Sequence, residues 1–477
     1  MKTDQQRTVL MVAFILFIPF LASCGSGSSP KDATAQAAET SQPVASSNAS
    51  GSTRSTDTPA APPAATTVAD PGVVDAGPPP TSTPTVGTGS AAAPPPAPAP
   101  THNPPPSPSP GPGPTTGGEN GSSAASQWKA VGGHINTSKE GPAFATMLTT
   151  VQGVPYLVWK EGQLEQGTWV EGKKIYVAGW NGTEWRVEGP LNIDLNNEAS
   201  VPTLTTDGQA LYLSWVEGID SNKSAYVLRK DPGSWVTVAV QEPPAGSGCA
   251  PLNASLAIWQ GLPTLAWDPA CSDTPYTSTV VQQWKGSWLN LGGAGSHYAD
   301  TPDPRKYQIA SNGEQLSLAV ISQNAAFDGI TLDLYHHEGS GWIQDGGPAN
   351  DPLSYLPSVF SLAFVQKLPT LAFRQDGLGI RVRQWTGKEW TTLGGALSKE
   401  GIEPALAAVG DTPYVGFGGA KASVLKWDGT TWSPKGEPLN QNPGATTSSV
   451  SLAAAGQQLF AAWIENGSIF VKSISAQ

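Results

Sequence analysis

Short runs in which apolar residues alternate with small or polar ones recur seven times along the chain. They are Val154-Pro-Tyr-Leu-Val-Trp159, Ala210-Leu-Tyr-Leu-Ser-Trp215, Leu262-Pro-Thr-Leu-Ala-Trp267, Gln315-Leu-Ser-Leu-Ala-Val320, Leu368-Pro-Thr-Leu-Ala-Phe373, Thr412-Pro-Tyr-Val-Gly-Phe417 and Gln458-Leu-Phe-Ala-Ala-Trp463. Alternation over so few residues, bounded by turn formers, predicts strands in antiparallel pairing. Each run is the second strand of a unit. A first strand precedes it, often entered at proline, and a third strand alternates into a turn flanked by tryptophans. A fourth strand leaves that turn and ends near Gly-Gly. The turn is clearest at Trp385-Thr-Gly-Lys-Glu-Trp390 and recurs as Trp180-Asn-Gly-Thr-Glu-Trp185 and Trp427-Asp-Gly-Thr-Thr-Trp432. Trp284-Lys-Gly-Ser-Trp288 is one residue shorter, and reduced copies end at Trp235 and Trp342. Strands repeating at a period of about 50 residues predict a repeat architecture.

The seventh unit stops after its third strand, Ser468-Ile-Phe-Val-Lys-Ser-Ile474, while residues 127–133 read as a fourth strand with no third before it. Pairing the first strand of the domain with the last unit closes a ring and hides an edge that would otherwise be exposed. The split repeat and the four-strand period resemble the closure and the blades of a β-propeller. The resemblance covers about residues 127–477 and implies an all-β, seven-bladed propeller of four-stranded antiparallel blades.

Composition divides the chain unevenly. Gly (53) and Pro (45) crowd the N-terminal quarter, and none of the 17 Trp precedes Trp128. From Gly25 to about Ser126 the chain is Ser, Thr, Ala, Gly and Pro without apolar periodicity, so burial cannot offset the entropy of ordering it. Residues 24–126 are therefore expected to be a disordered tether, stiffened by polyproline II where proline is densest. Ahead of it, Lys2 and Arg7 precede an apolar run from Val9 to Leu21, too short to span a bilayer as a helix. The run ends in Leu21-Ala22-Ser23-Cys24-Gly25, which resembles the lipobox of bacterial lipoproteins. That resemblance implies a signal peptide over residues 1–23, cleavage before Cys24 and lipidation of Cys24. Gly25, in place of the aspartate tied to inner-membrane retention, implies an outer-membrane or cell-surface address.

Two further cysteines, Cys249 and Cys271, lie symmetrically about the turn at Gln260-Gly261. They would face each other at the open end of one hairpin, and an exported protein matures where facing thiols oxidise. A disulfide is expected.

If first strands line the channel, the first-to-second and third-to-fourth turns share one face. The opposite face carries the second-to-third loops and the crossings between blades, which are longer and unlike one another, such as residues 160–174, 268–278, 295–306 and 349–356. Variable loops on a rigid scaffold are where binding concentrates. Glu161, Glu217, Asp268 and Glu465 leave second strands there, and Glu140, Glu198, Glu400 and Glu403 precede first strands. Carboxylates around a channel mouth would bind Ca²⁺, sugar hydroxyls or a basic partner; solvated residues copied along with the repeat give the same pattern.

The paired tryptophans suit sugar stacking, but at the closed end of each blade they more often pack blade against blade. Fucose-binding propeller lectins need a repeated Arg and Glu, whereas Arg186, Arg229, Arg305, Arg374, Arg381 and Arg383 fall at unmatched positions. The Trp-flanked turn sits where sialidases carry an Asp-box, yet Asp428-Gly429-Thr-Thr-Trp432 lacks the residue between Asp and Gly. No nucleophile elbow, zinc-protease motif or phosphate loop occurs. His336 and His337 adjoin and would point to opposite sides of a strand. A net charge of −12 opposes nucleic-acid binding. The expected function is a lipid-anchored, extracytoplasmic, non-enzymatic binding or scaffold module, monomeric, touching the membrane through Cys24. Its ligand would be an envelope protein or glycan. The alternative is a lectin or a sialidase-like, glycan-processing enzyme.

Overall fold

A computed structural model describes residues 127–136, 141–165, 168–243, 249–271, 276–298, 307–323, 329–350 and 357–476. The signal peptide, Cys24, the tether and Glu140 lie outside the described residues.

The strands assemble into seven four-stranded antiparallel sheets. Blade 1 comprises Ala143–Val151, Val154–Glu165, Thr168–Trp180 and Trp185–Glu188, and blade 2 Thr203–Thr206, Leu211–Glu217, Ser224–Asp231 and Ser234–Gln241. Blade 3 comprises Cys249–Trp259, Leu262–Cys271, Tyr276–Trp284 and Trp288–Tyr298; blade 4 comprises Tyr307–Ser311, Leu316–Gln323, Ile330–Glu338 and Gly341–Gln344. Blade 5 comprises Pro357–Val365, Leu368–Gln375, Gly379–Trp385 and Trp390–Thr392; blade 6 comprises Ile402–Val409, Thr412–Gly418, Ser423–Trp427 and Trp432–Pro434. Thr447–Ala455, Gln458–Glu465 and Ser468–Ser475 form three strands of blade 7, and Lys129–Ala130 supplies the fourth. The closure expected from the split repeat is present: Lys129 pairs with Ser473 and Ala130 with Lys472, and the Val131 amide donates to the Val471 carbonyl at 2.9 Å. Cys249 and Cys271 face each other across the blade 3 hairpin and are joined by a disulfide.

Three stretches expected to be long loops are in part continued hairpins. In blade 1 the pairing runs through Gln163–Val170, Leu164–Trp169 and Glu165–Thr168. In blade 3 the second and third strands reach Cys271 and restart at Tyr276, and the fourth runs on to Tyr298. Polar residues there break the apolar alternation that marks a strand, although ladder hydrogen bonds need none of it.

Seven apolar clusters fill the ring, one at each junction between blades. Because side chains alternate across a strand, one second strand feeds two junctions. Leu157 and Trp159 pack toward blade 7, and Val158 toward blade 2.

The tryptophans of the repeated turn lock neighbouring blades. Trp180–Trp185, Trp284–Trp288, Trp385–Trp390 and Trp427–Trp432 are directly cross-strand, with ring centroids 5.2–5.6 Å apart. The fourth-strand indole then reaches back one blade. Trp185 donates to the Val131 carbonyl (2.7 Å), Trp288 to Val240 (2.8 Å), Trp390 to Gly347 (2.9 Å), Trp432 to Leu393 (2.7 Å) and Trp128 to Lys435 (2.8 Å). Trp235 does the same to the Glu188 carboxylate at 2.8 Å. The rings rest on the glycines that close each fourth strand. A Cβ on Gly132, Gly346, Gly394 or Gly436 would lie within 3.0 Å of an indole atom, and all four have positive φ. These aromatics hold the ring together, on the face away from the variable loops.

Candidate functional site

Four crossings between blades are latched by an asparagine, and two of them, from blade 1 to 2 and from blade 6 to 7, are held at both ends. Asn136, Asn192, Asn350 and Asn440 each accept, through the side-chain oxygen, an amide in or next to the third strand of the blade they leave: Ile469, Ile175, Leu332 and Ala422, at 2.6–3.0 Å. A second hold comes from the blade ahead. Glu217 accepts the amides of Ile193 (3.1 Å) and Asp194 (2.5 Å) and the indole of Trp215 (2.8 Å). Glu465 repeats this with Gln441 (2.9 Å), Asn442 (2.7 Å) and the indole of Trp463 (3.1 Å). Trp and Glu two residues apart share one side of a strand, so the acid follows its tryptophan inward and meets the incoming loop. Burial alone would push the Glu465 carboxyl up, but the donors around it together hold it below its ordinary value.

Several acids expected to present themselves on this face are turned inward. Glu161, Glu217, Asp268 and Glu465 are buried. Asp268 accepts the Tyr307 hydroxyl at 2.7 Å, and burial together with that carboxylate raises the Tyr307 phenol well above its ordinary range. Glu198 and Glu400 are exposed. Among the described residues no three His, Cys, Asp or Glu side chains gather in a group that could hold a metal ion. His336 and His337 do point apart. His336 Nδ1 lies 2.7 Å from Asp345, while His337 packs edge-on against Trp259 and Trp342.

The seven first strands enclose a central cavity of about 820 Å³. Its wall is stitched blade to blade at every junction. Side chains accept neighbouring amides at Ser255–Ile309, Gln308–Leu362, Ser361–Leu406, Glu403–Ser449, Ser451–Leu148 and Met147–Leu204, and the Thr203 hydroxyl donates to the Ala254 carbonyl. This belt supplies partners to inner-edge backbone groups that no fifth strand covers.

One sector of the wall has an irregular backbone. The first strands of blades 3 and 5 carry an early bulge, between Pro251/Ala254 and Pro357/Val359, as do those of blades 6, 7 and 1, between Ile402/Ala405, Ser448/Ser451 and Phe144/Met147. Only the bulges of blades 6, 7 and 1 hold a non-glycine residue in the left-handed region among the described residues: Glu403 (φ 50), Ser449 (φ 47) and Ala145 (φ 49). Such a conformation costs on the order of 1 kcal/mol and gathers at functional sites. The three are linked, since the Ser449 amide donates to Glu403 Oε2 at 2.5 Å and the Thr146 hydroxyl to the Ser449 carbonyl at 2.6 Å. Glu403 is half-buried and is the one charged side chain among the described residues that line the cavity. Of the acids singled out in the sequence, it is the one the structure brings to the channel wall.

Alternation and turn residues point to neither the bulges nor the asparagine latch. The latch does have a signal, an asparagine three to four residues after the closing glycine in Gly132-Gly-His-Ile-Asn136, Gly189-Pro-Leu-Asn192, Gly346-Gly-Pro-Ala-Asn350 and Gly436-Glu-Pro-Leu-Asn440. The bulges have none, because nothing about Ala, Ser or Glu announces a positive φ.

No protein-family model matches the chain, and no characterised protein matches its sequence. Solved structures similar to it include the α-L-arabinofuranosidase Arb93A of Fusarium graminearum in complex with an iminosugar inhibitor. That match has 12% identity and a TM-score of 0.40, over 58% of this chain and 93% of that one. The lectin SapL1 in complex with α-methyl fucoside matches at 14% identity and a TM-score of 0.40, over 63% and 97% of the two chains. The sialidase of Trypanosoma rangeli matches at 12% identity and a TM-score of 0.39, over 71% and 60%. Likeness at this level carries no argument about chemistry or ligand.

Proposed function

We propose that the propeller is a carbohydrate-binding module whose site is the mouth of the central channel on the variable face. The observation that carries this reading is the irregular sector of the wall. There Phe144, Thr146, Ser448, Ser449 and Glu403 line one cavity. Sugars are recognised by that mixture, an apolar surface for the C–H face and a few fixed polar groups for the hydroxyls. At about 820 Å³ the cavity falls in the range of ligand sites. Binding fits the wall better than turnover does: hydrolysis of a glycoside commonly uses two carboxylates roughly 5–10 Å apart, and the described wall offers one. Lipidation at Cys24 would tie the module to the membrane, and residues 24–126 would let it reach a glycan of the cell envelope.

A glycan array followed by titration calorimetry on the full chain tests the proposal. Saturable binding should weaken at least about tenfold in Phe144→Ala, one tenfold step being 1.4 kcal/mol, and stay unchanged in Lys388→Ala on the opposite face. Binding indifferent to Phe144, or capture of an envelope protein with no glycan bound, would overturn it. Release of sugar from a bound glycoside would replace binding by catalysis.

A further inference from the structure

The blades share one frame, so a blade that breaks the pattern of the others carries something the frame does not need. In blades 1, 2 and 7 the third strand lays an aromatic ring beside the second-strand tryptophan. Trp159–Tyr176, Trp215–Tyr226 and Trp463–Phe470 are direct cross-strand pairs with ring centroids 5.7–5.8 Å apart. In blade 5 the residue opposite Phe373 is Arg381. Arg383, two residues on, shares that side of the strand, where Phe373 and Trp385 pack against Leu332 and Leu334 of blade 4. Its Nη1 donates to the Ala349 carbonyl at 2.7 Å, and its guanidinium lies over the Trp390 ring, 5.7 Å from the centroid. Blade 7 balances a cation at the same place. Lys472, paired as Arg383 is, donates to the Leu439 carbonyl at 2.7 Å and has Glu465 as its electrostatic partner. Glu465 follows Trp463 by two residues, and Gln375 stands in that position after Phe373. Blade 5 therefore keeps the cation, lacks the acid and adds a second cation. No ion pair reaches Arg381 or Arg383 among the described residues, and both Nε atoms are buried without a hydrogen-bond partner there. Burial, and then the charge of Arg381, pull the Arg383 guanidinium below its ordinary value. The acids around blade 5 are engaged or placed elsewhere. Asp376 lies 3.7 Å from Arg374 on the other side of the sheet, Asp345 holds His336 at 2.7 Å, and Glu403 lines the channel. The exposed Glu198 and Glu400 belong to the crossings into blades 2 and 6, and Asp351 lies outside the described residues.

We infer that Arg381 and Arg383 form an anion site at the junction of blades 4 and 5, which takes the sulfate or phosphate group of a ligand. Both side chains are partly exposed, and Arg381 lies near the variable-face end of its strand. Two guanidinium groups that repel each other are stabilised by an oxyanion shared between them, and their two charges favour a dianion over a single carboxylate. The site is separate from the central channel and does not depend on what the channel binds. Titration calorimetry on the full chain at constant ionic strength tests it, with inorganic sulfate and acetate as probes. Sulfate should bind saturably at roughly millimolar concentration or below, and acetate at least about tenfold more weakly. Arg381→Phe restores the ring of blades 1, 2 and 7. It should abolish sulfate binding while the melting temperature in sulfate-free buffer holds or rises. Gln375→Glu restores the acid of blade 7 and should weaken sulfate at least about tenfold by supplying an internal counter-charge. Arg374→Gln, on the other side of the sheet, should bind sulfate as the parent does. Absence of sulfate binding in the parent, binding that survives Arg381→Phe, or acetate equal to sulfate would overturn the site. A parent indifferent to sulfate together with a lower melting temperature in Arg381→Phe would assign Arg381 to an acid of this chain instead. If Arg381→Phe does not fold, Gln375→Glu decides, and unchanged sulfate binding there refutes the site.

Discussion

At the scale of single residues, Glu465 shows how a side chain that looks available can be committed to the fold. Its two oxygens accept the amides of Gln441 and Asn442, the Asn442 side-chain amide at 2.8 Å and the Trp463 indole. Hydrogen bonds to a charged group contribute about 1.5–3 kcal/mol each against a buried, unmatched alternative, and they do not add. Glu465→Gln keeps the shape but replaces one acceptor by a donor facing N–H groups. It should destabilise the domain by roughly 2–4 kcal/mol at neutral pH, measured by urea unfolding. The sign with pH follows from the direction of the shift. The folded-state carboxyl lies below its ordinary 4.5, so its contribution is present above that value and is lost as pH falls through the folded pKa. The gap between parent and Glu465→Gln should therefore be constant from pH 6 to 8 and shrink below about pH 4.5. A gap that does not depend on pH would mean that the carboxylate's charge is not what holds the loop. Position in the repeat puts this acid on the correct face of the ring but does not by itself give its direction. The direction comes from the strand period: Trp463 and Glu465 are two apart, and a tryptophan that must be buried takes its i+2 neighbour with it. The same period turns Glu217 inward behind Trp215, so for both acids the burial is written in the spacing of the residues.

At the scale of elements, the contact between one blade's closing glycine and the next blade's tryptophan is the repeated joint. Gly346 has φ 69, and an added Cβ would sit 2.7 Å from the Trp385 ring, whereas an added Cβ on its neighbour Gly347 meets nothing within 4 Å. Gly346→Ala should cost roughly 2–4 kcal/mol, from a left-handed alanine and a displaced ring together. Gly347→Ala should be close to neutral, because its carbonyl still accepts the Trp390 indole. Equal melting temperatures for the two variants would show that the joint is loose. Blades 2 and 4 depart from the rule. Lys230 stands opposite Trp235 and His337 opposite Trp342 where blades 1, 3, 5 and 6 pair two tryptophans, and the Trp342 indole nitrogen is buried with no hydrogen-bond partner among the described residues. The repeat spacing makes the joint legible as a marker of blades. What it holds against is not legible, since the acceptor carbonyls belong to backbone that every residue type shares.

At the scale of the whole molecule, the ring depends on a strand 344 residues distant from its partner in sequence, since Lys129 pairs with Ser473. Its contribution exceeds two paired residues. Val131 and Ile135 complete the core between blades 7 and 1, Trp128 packs into the core between blades 6 and 7, and the Val131 carbonyl receives the Trp185 indole. Without the segment, the outer edge of Ser468–Ser475 is bare, and both junctions flanking blade 7 lose apolar contacts at once. Because neighbouring blades share each core, the loss is not confined to blade 7. The closure is legible in the sequence because a unit lacking its fourth strand and a fourth strand lacking its unit complete one another, and the orphan strand carries the same Trp-to-Gly-Gly ending as the fourth strands of blades 3, 4 and 5. Deleting residues 127–136 should lower the melting temperature by roughly 10 °C or more, several kcal/mol spread over a large domain. Rejoining those ten residues after Gln477 through a short glycine–serine link should restore most of the loss, because the strand needs its place beside Ser468–Ser475 and not its position in the chain. A deletion that melts within about 2 °C of the parent, below the shift expected for even 1 kcal/mol in a domain of ordinary size, would show that the ring stands without its closure. A rejoined strand that restores nothing would show that the stability came from chain connectivity instead of pairing.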